Sequence, residues 1–138
     1  MIIMGDELVL ADRLEYMSKE MFLRFHRSIP SDMNIQERYR KPIEEFVGRV
    51  LERYRDKIDN IILFGSVARR EGREDSDIDI LVIWKGNEAE GWRAMTGLAF
   101  DVLLDVEEYI SVKVLDSEDL KVENPFMRNV MKEGIKIV

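Results

Sequence analysis

The chain opens with a helical rhythm and changes to a strand rhythm near residue 58. Leu8, Leu10, Leu14, Met17, Met21 and Phe25 recur at mostly helical spacings and predict a helix within the first 27 residues. Asp6 can cap its start, and Pro30 follows its end. SIPSDMN reads as a connection. Ile43, Phe46, Val47, Val50, Leu51 and Tyr54 then form the stripe of a second helix over residues 36–54, which tolerates Pro42 only within its first turn. From Ile58 the apolar positions run together. NIILF has no polar alternation, as expected of a strand covered on both faces, and Gly65 stops it. SVARRE reads as one helical turn, EGREDS as a polar loop and IDILVIW as a second strand. Trp92, Met95, Ala99, Val102, Leu103 and Val106 predict one face of a helix over residues 87–106. YISVKVL alternates Ile110, Val112 and Val114 with Tyr109, Ser111 and Lys113, the pattern of a third strand. A helical turn around residues 117–120 follows. NPFMRNVMKEGIKIV closes the chain as a helix begun at Asn124-Pro125, a stop at Gly134 and a short strand.

Strands alternating with helices give an α+β chain, a small mixed β-sheet with helices packed on it. The organisation expected is an N-terminal helical extension over residues 1–35 and a sheet-bearing domain over residues 36–138. The Met and aromatic stripes of the N-terminal helices, including Met4, Met17, Met21 and Met33, read as core, with a docking face for a partner as the alternative.

Composition narrows the function classes. At 138 residues, 46% hydrophobic and 36% charged, the chain is long enough for one core and rich enough in charge to be soluble. Its net charge of −7 argues against direct nucleic-acid binding, which draws on a basic face, but leaves metal-bound nucleotides open. Without cysteine it holds neither disulfides nor thiolate zinc sites. His26 sits among Phe22, Phe25 and Arg27 and reads as structural. No signal peptide and no run of apolar residues long enough for a membrane span is seen, so the cytoplasm is the expected compartment.

The candidate chemistry lies in LFGSVARREGREDSDIDILVI, residues 63–83. Carboxylates seldom enter an apolar strand without a neutralising partner. Strand alternation points Asp77 and Asp79 to one face, with Cα atoms about 6.6 Å apart. Such a pair can converge on a divalent cation, and Mg²⁺ suits it as a hard ion that shares its shell with phosphate oxygens. Gly65 permits close backbone approach, and the amides that follow it, the Ser66 hydroxyl and Arg69 can face an anion. Read separately, Gly-Ser can be a plain turn and Asp-x-Asp a solvated strand start. Together they compose half of a metal-triphosphate site.

GSVARREGREDSDIDIL, with Gly65-Ser66, ten residues, then Asp77-x-Asp79, resembles the DNA polymerase beta-like nucleotidyltransferase superfamily. It is most similar to the minimal nucleotidyltransferases of bacteria and archaea. The likeness covers residues 58–84, more weakly the tail NPFMRNVMKEGIKIV. The resemblance implies the nucleotidyltransferase fold, with catalytic Asp77 and Asp79 holding two Mg²⁺ ions. It also implies a triphosphate, ATP, over Gly65 and Ser66, Arg69 beside the nucleotide, and attack by a hydroxyl on the α-phosphate. Several such proteins are antitoxins of HEPN-type toxins, and some transfer AMP to a toxin tyrosine, so a HEPN-domain toxin is the implied partner. A homo-oligomer is equally compatible with the sequence.

Two departures stand out. Arg70 occupies the place where close members of the resembled family often carry glycine, and Gly72 comes later. The third carboxylate of the superfamily, on a strand beside the Asp pair, has no evident counterpart. Asp101 would serve only if AFDVLL were a strand, and Glu108 stands at the entrance of the third strand. The alternative to an enzyme is therefore a catalytically weak module of the same fold that acts as an antitoxin by contact.

Overall fold

The computed structural model of the chain describes residues 35–73, 76–118 and 125–138. Expectations for the N-terminal helix, its methionines and His26 fall outside the described residues, as do Asn124 and the end of the 117–120 turn. In chain order the elements are α1 (Glu37–Tyr54), a 3₁₀ turn (Arg55–Lys57), β1 (Ile58–Phe64), α2 (Gly65–Ala68), β2 (Ile78–Trp84), α3 (Glu88–Val106), β3 (Ile110–Asp116), α4 (Pro125–Glu133) and β4 (Ile135–Lys136).

The sheet runs β3-β2-β1-β4. β1 is antiparallel to β2 and β4, whereas β2 and β3 are parallel. Parallel neighbours need a long crossover, and α3 supplies it. Asn87 starts that helix by accepting the Glu90 amide at 2.9 Å, and Glu107, at φ 59°, ends it in the left-handed conformation. The fold is the mixed sheet with packed helices expected of the sequence.

The two faces of β2 serve different cores. Ile78, Ile80, Val82 and Trp84 pack with Tyr39, Ile43, Phe46, Val47 and Val50 of α1 and with Met95, Leu98, Ala99 and Val102 of α3. On the other face Leu81 and Ile83 join Ile62, Met127 and Val130, flanked by Phe64, Leu115 and Phe126. Asp77 and Asp79 share parity with Leu81 and Ile83. The carboxylates therefore open on the thinner α4 side, across the sheet from α1 and α3.

Two local expectations are corrected. Pro42 lies in the second turn of α1, not the first, and is buried there. Apolar packing of its ring offsets the missing amide. Trp92 is 54% exposed and stands off the buried face of α3. Gly91 takes the inward place instead, because the Trp84 indole fills the space that a side chain would need: a Cβ on Gly91 would lie 2.7 Å from the ring. The buried stripe thus runs through Gly91, Met95, Leu98, Ala99 and Val102.

Candidate active site

β1 delivers its last residue, Phe64, directly opposite Asp79 of β2. The chain then breaks at Gly65, whose φ of +77° is in the left-handed region, and enters the single helical turn α2. That turn closes with Arg69 N–H on the Gly65 carbonyl at 3.2 Å and Glu71 N–H on the Ser66 carbonyl at 2.7 Å. The first amides of a helical turn have no acceptor within it and are available to an anion. The Asp79 carboxylate lies against the Gly65 Cα, so close that a Cβ there would meet Oδ2 at 2.2 Å. Gly65, Ser66 and Asp79 thus occupy one corner. Asp77, just before β2, is exposed at its mouth.

The electrostatics of the corner favour a cation. Burial raises the Asp79 pKa above the usual carboxylate range, and the nearby Asp77 charge raises it further, while Arg69 opposes both. A divalent ion beside Asp79 would offset the burial and the neighbouring Asp77 charge that oppose its ionisation, and an oxygen-only donor set fits Mg²⁺ shared with phosphate. Among the described residues no group of three acidic, histidine or cysteine side chains gathers.

Arg69 is held beside the corner by two carboxylates. Its Nε donates to Glu71 at 2.9 Å and its NH1 group to Glu133 of α4 at 3.4 Å. A phosphate placed over Gly65-Ser66 would compete with these for the guanidinium. Arg70 has φ 60°, a left-handed backbone conformation that glycine favours.

Neither carboxylate considered as a third ligand reaches the pair. Asp101 is in α3, across the sheet, where it lines a groove with Arg49, Glu52, Arg53, Leu104 and Asp105. Glu108 pairs with Arg38 at 3.5 Å. On the carboxylate face of β3 the register places Ser111 beside Asp79 and Lys113 beside Leu81. The Lys113 Nζ sits 5.0 Å from the centre of the Phe126 ring.

The structure also brings in residues that sequence reading passed over. Gln36 and Tyr39, at the start of α1, bond the backbone of Gly72 and Arg73 in the loop between the Gly-Ser turn and the Asp pair. Their only trace in the sequence is Gly72, a glycine without an assigned task.

The chain matches the family "Polymerase beta, Nucleotidyltransferase" over residues 46–138. It is 36% identical over 104 residues, 68% of this chain and 92% of the other, to a Methanocaldococcus jannaschii protein named "Putative protein adenylyltransferase". A second protein of that name and organism is 44% identical over 43 residues, 31% of this chain and 43% of the other. The solved structure of a "putative nucleotidyltransferase" from Sulfolobus solfataricus shares the fold, with a TM-score of 0.52 at 20% identity over 86% of this chain and 87% of that one. The length of the family match and the identity to its first relative lead to one conclusion: the chain belongs to the polymerase beta nucleotidyltransferase family.

Proposed function

We propose that the chain transfers AMP from ATP to a hydroxyl of a protein partner. The observation that carries this reading is the lodging of the Asp79 carboxylate against Gly65. It joins the anion cradle and the Asp77–Asp79 pair in one corner. The M. jannaschii relative's name supports a protein as acceptor. In the reaction the acceptor oxygen attacks the α-phosphorus, the bond from that phosphorus to the bridging oxygen breaks, and pyrophosphate leaves. The hydroxyl proton passes to solvent. Mg²⁺ held by Asp77 and Asp79 would neutralise charge on the triphosphate and the leaving group. Gly65 lets the phosphates approach the backbone, Ser66 orients them, and Arg69 exchanges a carboxylate for a phosphate oxygen. The motif resemblance supports a tyrosine of a HEPN-type toxin as the acceptor.

A second reading is a binding module that neutralises the same partner by contact. It is favoured by the lack, among the described residues, of a third carboxylate beside the pair. Incubation with ATP labelled at the α-phosphate, Mg²⁺ and the toxin decides between them. Label on the toxin, lost with Asp77→Asn or Asp79→Asn, is the expected result. Neutralisation that survives both substitutions, with no label under any divalent metal, overturns it in favour of the binding module.

A further inference from the structure

We propose that Gln36 and Tyr39 are positioning residues for the nucleotide site: the first turn of α1 latches the loop that joins the Gly-Ser turn to the Asp pair. The inference rests on the reading of that corner as a nucleotide site.

The two halves of the corner are anchored by neighbouring strands, but Glu71, Gly72, Arg73 and Ser76 between them belong to neither. Two side chains of α1 hold its backbone. The Gly72 N–H donates to Gln36 Oε1 at 2.9 Å, and Gln36 Nε2 donates back to the Gly72 carbonyl at 3.5 Å. The Tyr39 hydroxyl donates to the Arg73 carbonyl. That same carbonyl accepts the Ser76 N–H at 3.0 Å, while the Arg73 N–H donates to Ser76 Oγ at 2.8 Å. The bonds therefore run from the core of α1 to the residue preceding Asp77.

Steric fit points the same way. Tyr39 is fully buried, so its hydroxyl needs a partner inside the fold, and the loop provides one. A Cβ on Gly72 would lie 2.6 Å from the Tyr39 ring and 2.9 Å from Gln36 Oε1. Glycine is required there because the loop backbone lies directly on these side chains. Arg38, between them in sequence, pairs with Glu108, two residues before β3, at 3.5 Å. The start of α1 thus braces the approach to the Asp pair without supplying a group to it. Backbone held at Gly72, Arg73 and Ser76 would set the approach to Ser66 and Asp77 before the nucleotide arrives.

Tyr39→Phe keeps the buried ring and removes the hydroxyl bond; Gln36→Ala removes the two bonds to Gly72, and Gly72→Ala forces the loop off both side chains. Three readouts on the full chain test the latch: hydrogen exchange at residues 70–77, the Kd for MgATP, and Tm. The expected result is faster exchange confined to that loop and MgATP affinity weakened about tenfold to 100-fold in each variant, with Tm lowered by only a few degrees. Gln36→Glu, which keeps the acceptor for the Gly72 amide, should restore much of the affinity lost in Gln36→Ala. Unchanged loop exchange in Tyr39→Phe and Gln36→Ala overturns the latch. Faster exchange with unchanged MgATP affinity overturns its positioning role and leaves a structural bond. A wild-type chain that binds no MgATP overturns the nucleotide-site reading itself, and the exchange measurement separates that failure from failure of the latch.

Discussion

A methyl group on Gly65 would stand 2.2 Å from Oδ2 of Asp79, so the glycine and the carboxylate form one packed unit across the β1–β2 junction. Gly65 also holds φ +77°, which an L side chain adopts at a cost of about 1–2 kcal/mol. Gly65→Ala is therefore expected to displace Asp79 and to lose at least that stability. Urea denaturation and MgATP titration check both. A variant with full stability and affinity would mean that the corner rearranges at no cost.

Asp79 is expected to trade stability for binding. Its folded pKa is raised by burial and by Asp77. The native state thus favours the protonated form, and the associated stability is fully present below the unfolded carboxylate pKa and lost as pH rises through the folded one. In chelator at neutral pH, Asp79→Asn should unfold at the same temperature as wild type or higher. That advantage should vanish below about pH 4, where the wild-type carboxyl is protonated. Added Mg²⁺ should raise the Tm of wild type more than that of the variant. Thermal scans across pH, with and without the metal, check the sign.

Arg70 carries a left-handed backbone without being glycine. Arg70→Gly should raise stability by up to about 1 kcal/mol, the strain relieved less the extra freedom glycine gives the unfolded chain. The substitution leaves Gly65, Ser66, Asp77 and Asp79 unchanged, so the proposed transfer activity should persist. A lower urea midpoint would instead show that the Arg70 side chain stabilises the loop by more than its backbone strains it.

The inward face of α3 depends on the absence of a side chain at Gly91. Gly91→Ala would press a Cβ to 2.7 Å from the Trp84 ring, an overpacking expected to cost about 1–3 kcal/mol. Combining it with Trp84→Leu, which empties that space, should give a double variant less destabilised than the sum of the two singles. Additive losses in a denaturant series would disprove the contact as the cause.

Chain periodicity made most elements legible, because a strand or helix half-buried in one core repeats its apolar residues at its own pitch. β1, β2, α3 and β3 lie where their runs predict, and Gly134 ends α4 before the short β4. Trp92 departs from the pattern, because a large apolar side chain need not face the core. The opposing Trp84 had already filled the layer, so the inward position went to glycine. Pro42 broke it differently, since burial offset an amide that local rules treat as indispensable.

The sequence by itself determined that Asp77 and Asp79 face one way and that Gly65-Ser66 ends a strand, since strand alternation and glycine's freedom are local properties. Only the tertiary structure decided that Phe64 pairs with Asp79 and so lays the carboxylate on Gly65, because strand register is set by packing among distant segments. It alone carried Asp101 across the sheet and tied Glu108 to Arg38. It alone brought Gln36 and Tyr39, some thirty residues upstream, onto Gly72 and Arg73. Contacts between segments far apart in the chain have no period, and a buried tyrosine reveals its partner only when the fold is closed.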